Sequence, residues 1–314
     1  MKLSDVVIVS AVRTPMGRFG GTLKNVPSFD LGATAIRAAR ERIDLAPDGL
    51  DEVIYGSCRQ AGNGPNPART AAVKGGVDIS VPVQTINMAC PSGMITVIHA
   101  ARAIMLGDMG TALAGGMDSM STIPYLLKNC RFEGFKMGDR TLEDGWSDSI
   151  DPLCGCGMGV TAENLVEKHD LERPAMDEFA AASHAKAGKA RDEGWFDGEI
   201  VPVEVPPASR KEEAKTFTRD ETIRDGTTAE KLARLPGVFK KGGKVTAGNA
   251  CGMSDGATAL ILTTRENAQA NGWPVLFSIV SHGTAACAPE TMGEGPGISI
   301  PIALERAGMT LADM

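Results

Sequence analysis

Aromatic side chains make up only 4% of the 314 residues, while 43% are hydrophobic and 37 are glycine. That Val/Ile/Ala-rich balance fits closely packed sheet and helix layers and argues against a solenoid or a disordered chain. Positive charge is not in excess: the net charge of −7 speaks against nucleic acid or an anionic membrane as the main partner. It leaves room for a local basic patch facing an anionic cofactor. The opening "MKLSDVVIVSAVRTP" has no secretory apolar segment, and no apolar run approaches a membrane span. The seven cysteines show no disulfide-framework spacing, so reduced thiols in the cytoplasm are the expectation. Cys154 and Cys156 have no histidine at ligand spacing, which favours loop or core cysteines over a metal site.

The length allows two domains or one large α/β unit. Strand and helix patterns alternate through the first third. Strands are expected over 5–11, 52–58, 81–89 and 111–121, and helices over 30–43, 67–76 and from about Pro91 to Leu106. Leu31, Ala35, Ala38, Ala39 and Ile43 share one helical face behind Asp30, a candidate N-cap. From 121 to about 244 the chain is more charged, with breaks at "VPVEVPPASRKEEAK" and "FKKGGK" and helices near 159–169 and 174–193. The alternation resumes with strands at 256–264 and 275–286 and a helix at 299–309. This is a parallel or mixed sheet covered by helices, with an insertion lying over it. The second half begins the same series and stops at "LADM". The expectation is a fragment, or a partner polypeptide that covers an otherwise open apolar edge.

"INMACPSGM" places Cys90 between an apolar run and a helix. A helix N-terminus favours a thiolate and offers N–H donors to an oxyanion. Pro91 suits the first helical position, and Gly93 keeps the approach to the sulfur open. Nucleophile and buried structural cysteine both fit this pattern. A nucleophile needs a base, and the four histidines supply none with conviction. His99 is nine residues along the same helix, about 900°, and points away. His184 reads as solvated and His169 as a helix-end residue. His282 follows a strand and is the one candidate for lining a site.

Five ordered stretches resemble the thiolase family: "VIVSAVRTPMGRFGG", "INMACPSGM", "MGVTAENL", "VTAGNACGMSDGATAL" and "MGEGPGISIPIALERAGMTLADM". The resemblance implies an α/β, thiolase-like layered α/β/α/β/α fold of two βαβαβαββ repeats, the second incomplete in this chain. The first repeat would be 1–120 plus 245–269, the inserted CoA-covering loop domain 121–244, and the start of the second repeat 270–314. It also implies that Cys90 carries the acyl group as a thioester, at a buried helix end where the repeats meet. The family's Gly-His-Pro histidine and Cys-x-Gly cysteine have no match in these 314 residues.

By the same resemblance, coenzyme A enters as substrate, with no cofactor and no metal. Its contacts would be Met158, Arg224, Phe239, Ala247, Ala250, Cys251 and Met292; Cys251 stands where the family usually has serine. Cys154, Cys156 and Gly157 replace bulkier residues of the family and imply a substrate larger than acetoacetyl-CoA. The implied activity is acyl transfer between a 3-oxoacyl-CoA and CoA, as in β-oxidation and fatty acid metabolism, or the reverse Claisen condensation. The implied assembly is a homo-oligomer, a dimer or tetramer, with a partner subunit as a further option. A condensing enzyme acting on a carrier-protein thioester is disfavoured by "RTPMGRFGG" and "VTAGNACGMSDG". The alternative is a catalytically incomplete thiolase-like subunit that binds acyl-CoA or a partner protein. The reading frame after Met314 distinguishes them.

Overall fold

The computed structural model describes residues 2–132, 134–207 and 213–314, with the side chains of 147 and 148 outside the description. Part of the proline-rich break at 201–215 therefore lies outside the described residues. In chain order the elements are β1 (Val6–Arg13), β2 (Gly17–Arg18), α1 (Ser28–Glu41), β3 (Glu52–Gly56), α2 (Pro67–Lys74), β4 (Val83–Ile86), α3 (Ser92–Leu106) and β5 (Thr111–Ser119). Between β5 and the next strand of the main sheet come β6 (Tyr125–Leu126), β7 (Glu143–Asp144), α4 (Met158–Lys168), α5 (Arg173–Asp192), β8 (Val203–Val205), β9 (Lys215–Phe217) and α6 (Ala229–Leu232). The chain closes with β10 (Ser254–Thr264), α7 (Arg265–Ala270), β11 (Phe277–Ser278) and α8 (Gly295–Ala307).

One mixed sheet runs in the order β11-β1-β10-β5-β3-β4, with β2 paired to the start of β10. β3 is parallel to both β4 and β5, whereas β10 is antiparallel to β5 and β1. β5 and β10 are neighbours in space, with Asp255 opposite Ser119 and Thr263 opposite Thr111, although the whole of 120–253 separates them in sequence. That segment is thus an excursion from the sheet. On one face α1 and α2 bury Leu31, Ala35, Ile36, Ala68, Ala71 and Ala72 against Val53, Tyr55, Leu113 and Ile261. On the other, α3 sets Ala100, Ala101 and Ile104 against Ile54, Ala112, Ala114 and Leu262. Small alanines let the helices lie close to the sheet, which the poverty in aromatics requires.

Several local expectations are corrected. Asp30 is not the N-cap of α1: the helix starts at Ser28 behind Pro27, and Asp30 lies in its first turn, where its charge suits the dipole. Pro91 is the residue before α3, not its first member, with φ −80° and ψ 12°. The apolar run at 275–286 pairs only at Phe277 and Ser278, against Ile8 and Val7, because β1 offers this edge strand only its first residues. α8 begins at Gly295, earlier than the pattern suggested, since Pro296 is compatible with a first turn. None of the residues of α8 is buried, and Val280, Phe277 and Leu106 are exposed.

Candidate active site

The turn that carries Cys90 stands at the C-terminal ends of the parallel strands. β4 ends at Ile86, and Ala89 then adopts φ +54°, a left-handed conformation uncommon for a residue with a Cβ. The Ser92 hydroxyl fixes this turn: it accepts from Met88 N at 2.9 Å and donates to Ala89 O at 2.5 Å. Asn87 Oδ1 accepts from Ala89 N at 2.9 Å, and Asn87 Nδ2 donates to Cys58 O at 3.2 Å. The start of α3 then lies directly on β3. A Cβ on Gly56 would come within 2.6 Å of the Ser92 backbone, so only glycine allows this approach. In these 314 residues Cys90 is exposed: residues 87–91 project past the ends of β3 and β4.

A second thiol belongs to the same corner. Cys58 follows β3 as Cys90 follows β4, and the two interact electrostatically. Burial, reinforced by the nearby Asp118 carboxylate, pushes the Cys58 thiol up to about 12, so it stays protonated at neutral pH. Asp118, at the end of β5, accepts from Cys58 N at 3.1 Å and from Arg59 N at 2.9 Å. Burial raises its carboxyl above the usual range despite those bonds. Arg59 stacks over Trp146, its guanidinium 5.2 Å from the ring centroid, and donates to Ser149 Oγ, tying this corner to the segment beyond β5.

Among the described residues, none of the four histidines is hydrogen-bonded to Cys90. His169 Nε2 lies 2.9 Å from Glu294 Oε1. His282 Nε2 lies 3.5 Å from Arg102, and burial together with Arg102 and Arg306 lowers its pKa. His99 is on α3, two and a half turns from Cys90. His184, read from the sequence as solvated, accepts a hydrogen bond from Arg224 N at 3.2 Å.

His184 lines a cleft of about 430 Å³ between α5 and the segments 221–224 and 247–254. Of the seven residues assigned to coenzyme A, the cleft brings together Arg224, Ala247, Ala250 and Cys251. The other three lie around α4. Met158 opens the helix, the Phe239 ring covers Gly159, and Met292 belongs to a short turn docked on α4 through Asn164 Nδ2 to Glu290 O at 2.8 Å. Sequence reasoning missed Phe179 and His184 on the cleft face of α5. The signal was there: positions 179, 180, 183, 184 and 187 share one helical face.

The cleft floor explains the "RTPMGRFGG" stretch. Arg13 donates to Asp220 through both terminal nitrogens at 2.8 and 3.0 Å, and Met16 N donates to Asp220 at 2.7 Å. Glu221 accepts from Arg18 N at 3.0 Å, from Thr22 N at 3.1 Å and from the Thr22 hydroxyl. Burial pushes the Glu221 carboxyl up, but these bonds outweigh it and hold it below the usual range. These bonds tie the segment just before Arg224 to the N-terminal end of the chain. A larger concavity of about 700 Å³ surrounds Arg42, Leu45 and Trp273 at the far end of the sheet, away from Cys90. Ligands of open α/β sheets bind at the carboxyl ends of the strands, so chemistry and topology both favour the smaller cleft.

Among the described residues, no group of three or more His, Cys, Asp or Glu side chains could hold a metal ion, and no helix is long and apolar enough to cross a membrane. Cys156 Sγ lies 3.4 Å from Cys154 O in an irregular loop.

Comparison with known proteins gives one consistent family. Residues 6–266 match the model of the thiolase N-terminal domain. The "Probable acetyl-CoA acyltransferase" of Staphylococcus epidermidis is 46% identical over 314 residues, covering 99% of this chain and 79% of that protein. The crystal structure of the Bacillus anthracis acetyl-CoA acetyltransferase superposes with a TM-score of 0.93 at 41% identity, covering 98% of this chain and 77% of the other. Human mitochondrial 3-ketoacyl-CoA thiolase in complex with CoA superposes with a TM-score of 0.91 at 37% identity, covering 98% and 77%.

Proposed function

The chain belongs to the thiolase family of acyltransferases and has its α/β fold, and on that premise we propose that Cys90 is the acyl-accepting nucleophile and that the α5 cleft holds coenzyme A. The observation that carries this reading is positional. The Cys90 turn, Asp118 and the start of β10 share one end of the sheet, and the cleft is lined by residues up to Ser254, the first of β10. In the cleavage direction the Cys90 thiolate attacks the 3-oxo carbon, and the C2–C3 bond breaks. Acetyl-CoA leaves after its α-carbon takes a proton. The acyl group then passes from Cys90 to a second CoA thiol, which gives up its proton. Arg224 and His184 suit the polar nucleotide end of CoA, while Phe179 and the Ala247–Cys251 strip suit its less polar parts. The remaining three residues assigned to CoA, Met158, Phe239 and Met292, would flank the pantetheine arm nearer the acyl end.

The acyl group is bulkier than acetoacetyl. Nothing lies within 4 Å of where a Cβ on Gly157 would be, and Phe132 and Phe135, which could have refilled the space, are exposed. Each additional buried methylene contributes roughly 0.8 kcal/mol where the pocket fits it. A thiolysis series from C4 upward, including an aryl member, should favour a medium or aryl chain over C4 by about one to two orders of magnitude. A C4 optimum that Gly157→His leaves unchanged contradicts the larger pocket.

With every histidine engaged elsewhere or turned away, residues 1–314 on their own are proposed to lack turnover, the base for Cys90 coming from further polypeptide. This keeps the incomplete acyl-CoA-binding subunit as the second reading. The exposed apolar side chains of β11 and α8 should also make this chain self-associate or require a partner, in keeping with a homo-oligomer. Where turnover is present, Cys90→Ser should cost about a thousandfold or more in kcat while CoA affinity stays within twofold. An equal loss of both would refute the nucleophile assignment.

A further inference from the structure

The Lys244–Cys251 turn supplies Ala247, Ala250 and Cys251 to the cleft, yet it has no regular secondary structure of its own. Beside its backbone pairing with 237–238, it is held by two carboxylates that are almost completely buried, Glu163 at 2% exposure and Asp177 at 1%. Glu163, from α4, accepts from Val245 N at 2.7 Å and from Lys244 N at 3.0 Å. It reaches them because position 243 is glycine: a Cβ there would lie 2.3 Å from Glu163 Oε1. Asp177, from α5, accepts from Asn249 Nδ2 at 2.9 Å and from Arg173 Nε at 2.7 Å. Asn249 in turn donates to Lys244 O at 3.1 Å and accepts from Thr246 N at 2.7 Å, and Thr246 Oγ1 accepts from Gly248 N at 3.1 Å. Arg173 is itself held by Leu232 O and Leu235 O at 2.6 and 3.0 Å.

We propose that Glu163 and Asp177 are positioning residues for coenzyme A, clamping the two ends of the 244–249 turn so that the 247–251 backbone presents one fixed wall to the cleft. The inference rests on the cleft being the CoA site. Neither carboxylate lines the cleft; Glu163 acts through the Lys244 and Val245 backbone it holds, and Asp177 through the Asn249 side chain. The arrangement is specific to a carboxylate. A glutamine at 163 turns an N–H₂ toward one of two backbone donors, leaving one N–H without an acceptor in a buried place. An asparagine at 177 can accept from Asn249 or from Arg173 but not from both in the same way.

The test measures CoA dissociation constants by calorimetry for the wild type, Glu163→Gln, Asp177→Asn and Arg224→Ala. Thermal unfolding and the rate of Cys90 alkylation by iodoacetamide are recorded for each protein. Displacing a binding wall by a fraction of an ångström is expected to weaken CoA about tenfold in Glu163→Gln and Asp177→Asn. Both should leave Cys90 alkylation within twofold, because the nucleophile turn is held separately by Asn87 and Ser92. Should one variant fail to fold, the other carries the test. If both fold and bind CoA like the wild type while Arg224→Ala weakens it, the cleft reading stands and the positioning role is wrong. If the wild type binds no CoA, or Arg224→Ala has no effect, the cleft reading has failed and the proposal falls with it. Weakened CoA accompanied by an equal change in Cys90 alkylation would mean general loosening and would also overturn the proposal.

Discussion

The sheet and the excursion between β5 and β10 are held together by different means. The sheet buries Val7, Leu31, Ile36, Leu113 and Ile261 at 0% exposure between helices rich in alanine. Of the excursion's buried large apolar side chains, Val201, Val203 and Phe217 join the sheet's core; around the cleft the excursion relies on carboxylates aimed at backbone N–H groups and arginines. Glu163, Asp177, Asp220 and Glu221 are its anchors. Volume holds the scaffold of Cys90, whereas hydrogen-bonded carboxylates hold the walls of the cleft. The nucleophile should therefore tolerate charge-removing substitutions that disturb CoA binding.

The sharpest contrast comes from deleting volume. Leu113→Ala on β5 should cost about 2–5 kcal/mol, seen as a lower urea midpoint for the whole sheet. A loss below 1 kcal/mol would mean that the core is not close-packed. Asp220→Asn or Glu221→Gln should cost less, about 1–3 kcal/mol, from unsatisfied donors around Met16, Arg18 and Thr22. These variants should raise the CoA dissociation constant without changing Cys90 reactivity. If they slow Cys90 alkylation as much as they weaken CoA, the two regions are not independently supported.

Acid separates the regions next. Hydrogen bonds from Lys168 and His169 hold the Glu294 carboxyl down at about 2, from an unfolded value of 4.5. A depressed carboxylate contributes stability that is fully present above 4.5 and is lost as pH falls toward 2. Lowering the pH through that window should loosen the contact between α4 and the 289–294 turn while the sheet stays protected, a difference that hydrogen exchange can read by region. Glu294→Gln should remove this acid-dependent step; its persistence in the variant would assign it to another group. The smallest effect is expected at the nucleophile turn. Ala89→Gly removes the strain of φ +54° but adds freedom to the unfolded chain, so the net change should stay within about 1 kcal/mol. A larger loss would show that the Ala89 methyl does more than fill the turn.

Most of the sheet could be read from the sequence, because the Leu31–Ala35–Ala39 stripe and the apolar runs at 5–11 and 52–58 are local patterns. Strand order could not. β10 pairs with β1 and β5 through backbone groups far apart in the chain, and nothing near Ala257 or Thr263 specifies those partners. The site divides in the same way. Cys90 was legible because a strand, a turn and a helix start coincide within nine residues. Arg224, Ala247, Ala250 and Cys251 came from resemblance, and the cleft joins them. Asp220 and Glu221 carry no local signal of their role, since their partners Arg13 and Arg18 lie about two hundred residues earlier. The face of α5 that carries His184 was legible, but its partner was not: the backbone N–H it accepts from lies forty residues away.

The central claim is that the acyl end of the CoA site meets Cys90. A CoA thioester bearing a haloacetyl group reacts with the thiol that lies where the acyl group sits, and it needs no general base from the protein. Peptide mapping after a substoichiometric pulse should find the adduct on Cys90, with labelling suppressed by free CoA and slowed in Arg224→Ala. An adduct mainly on Cys58, Cys156 or Cys251, or Cys90 labelling that free CoA does not suppress, would contradict it.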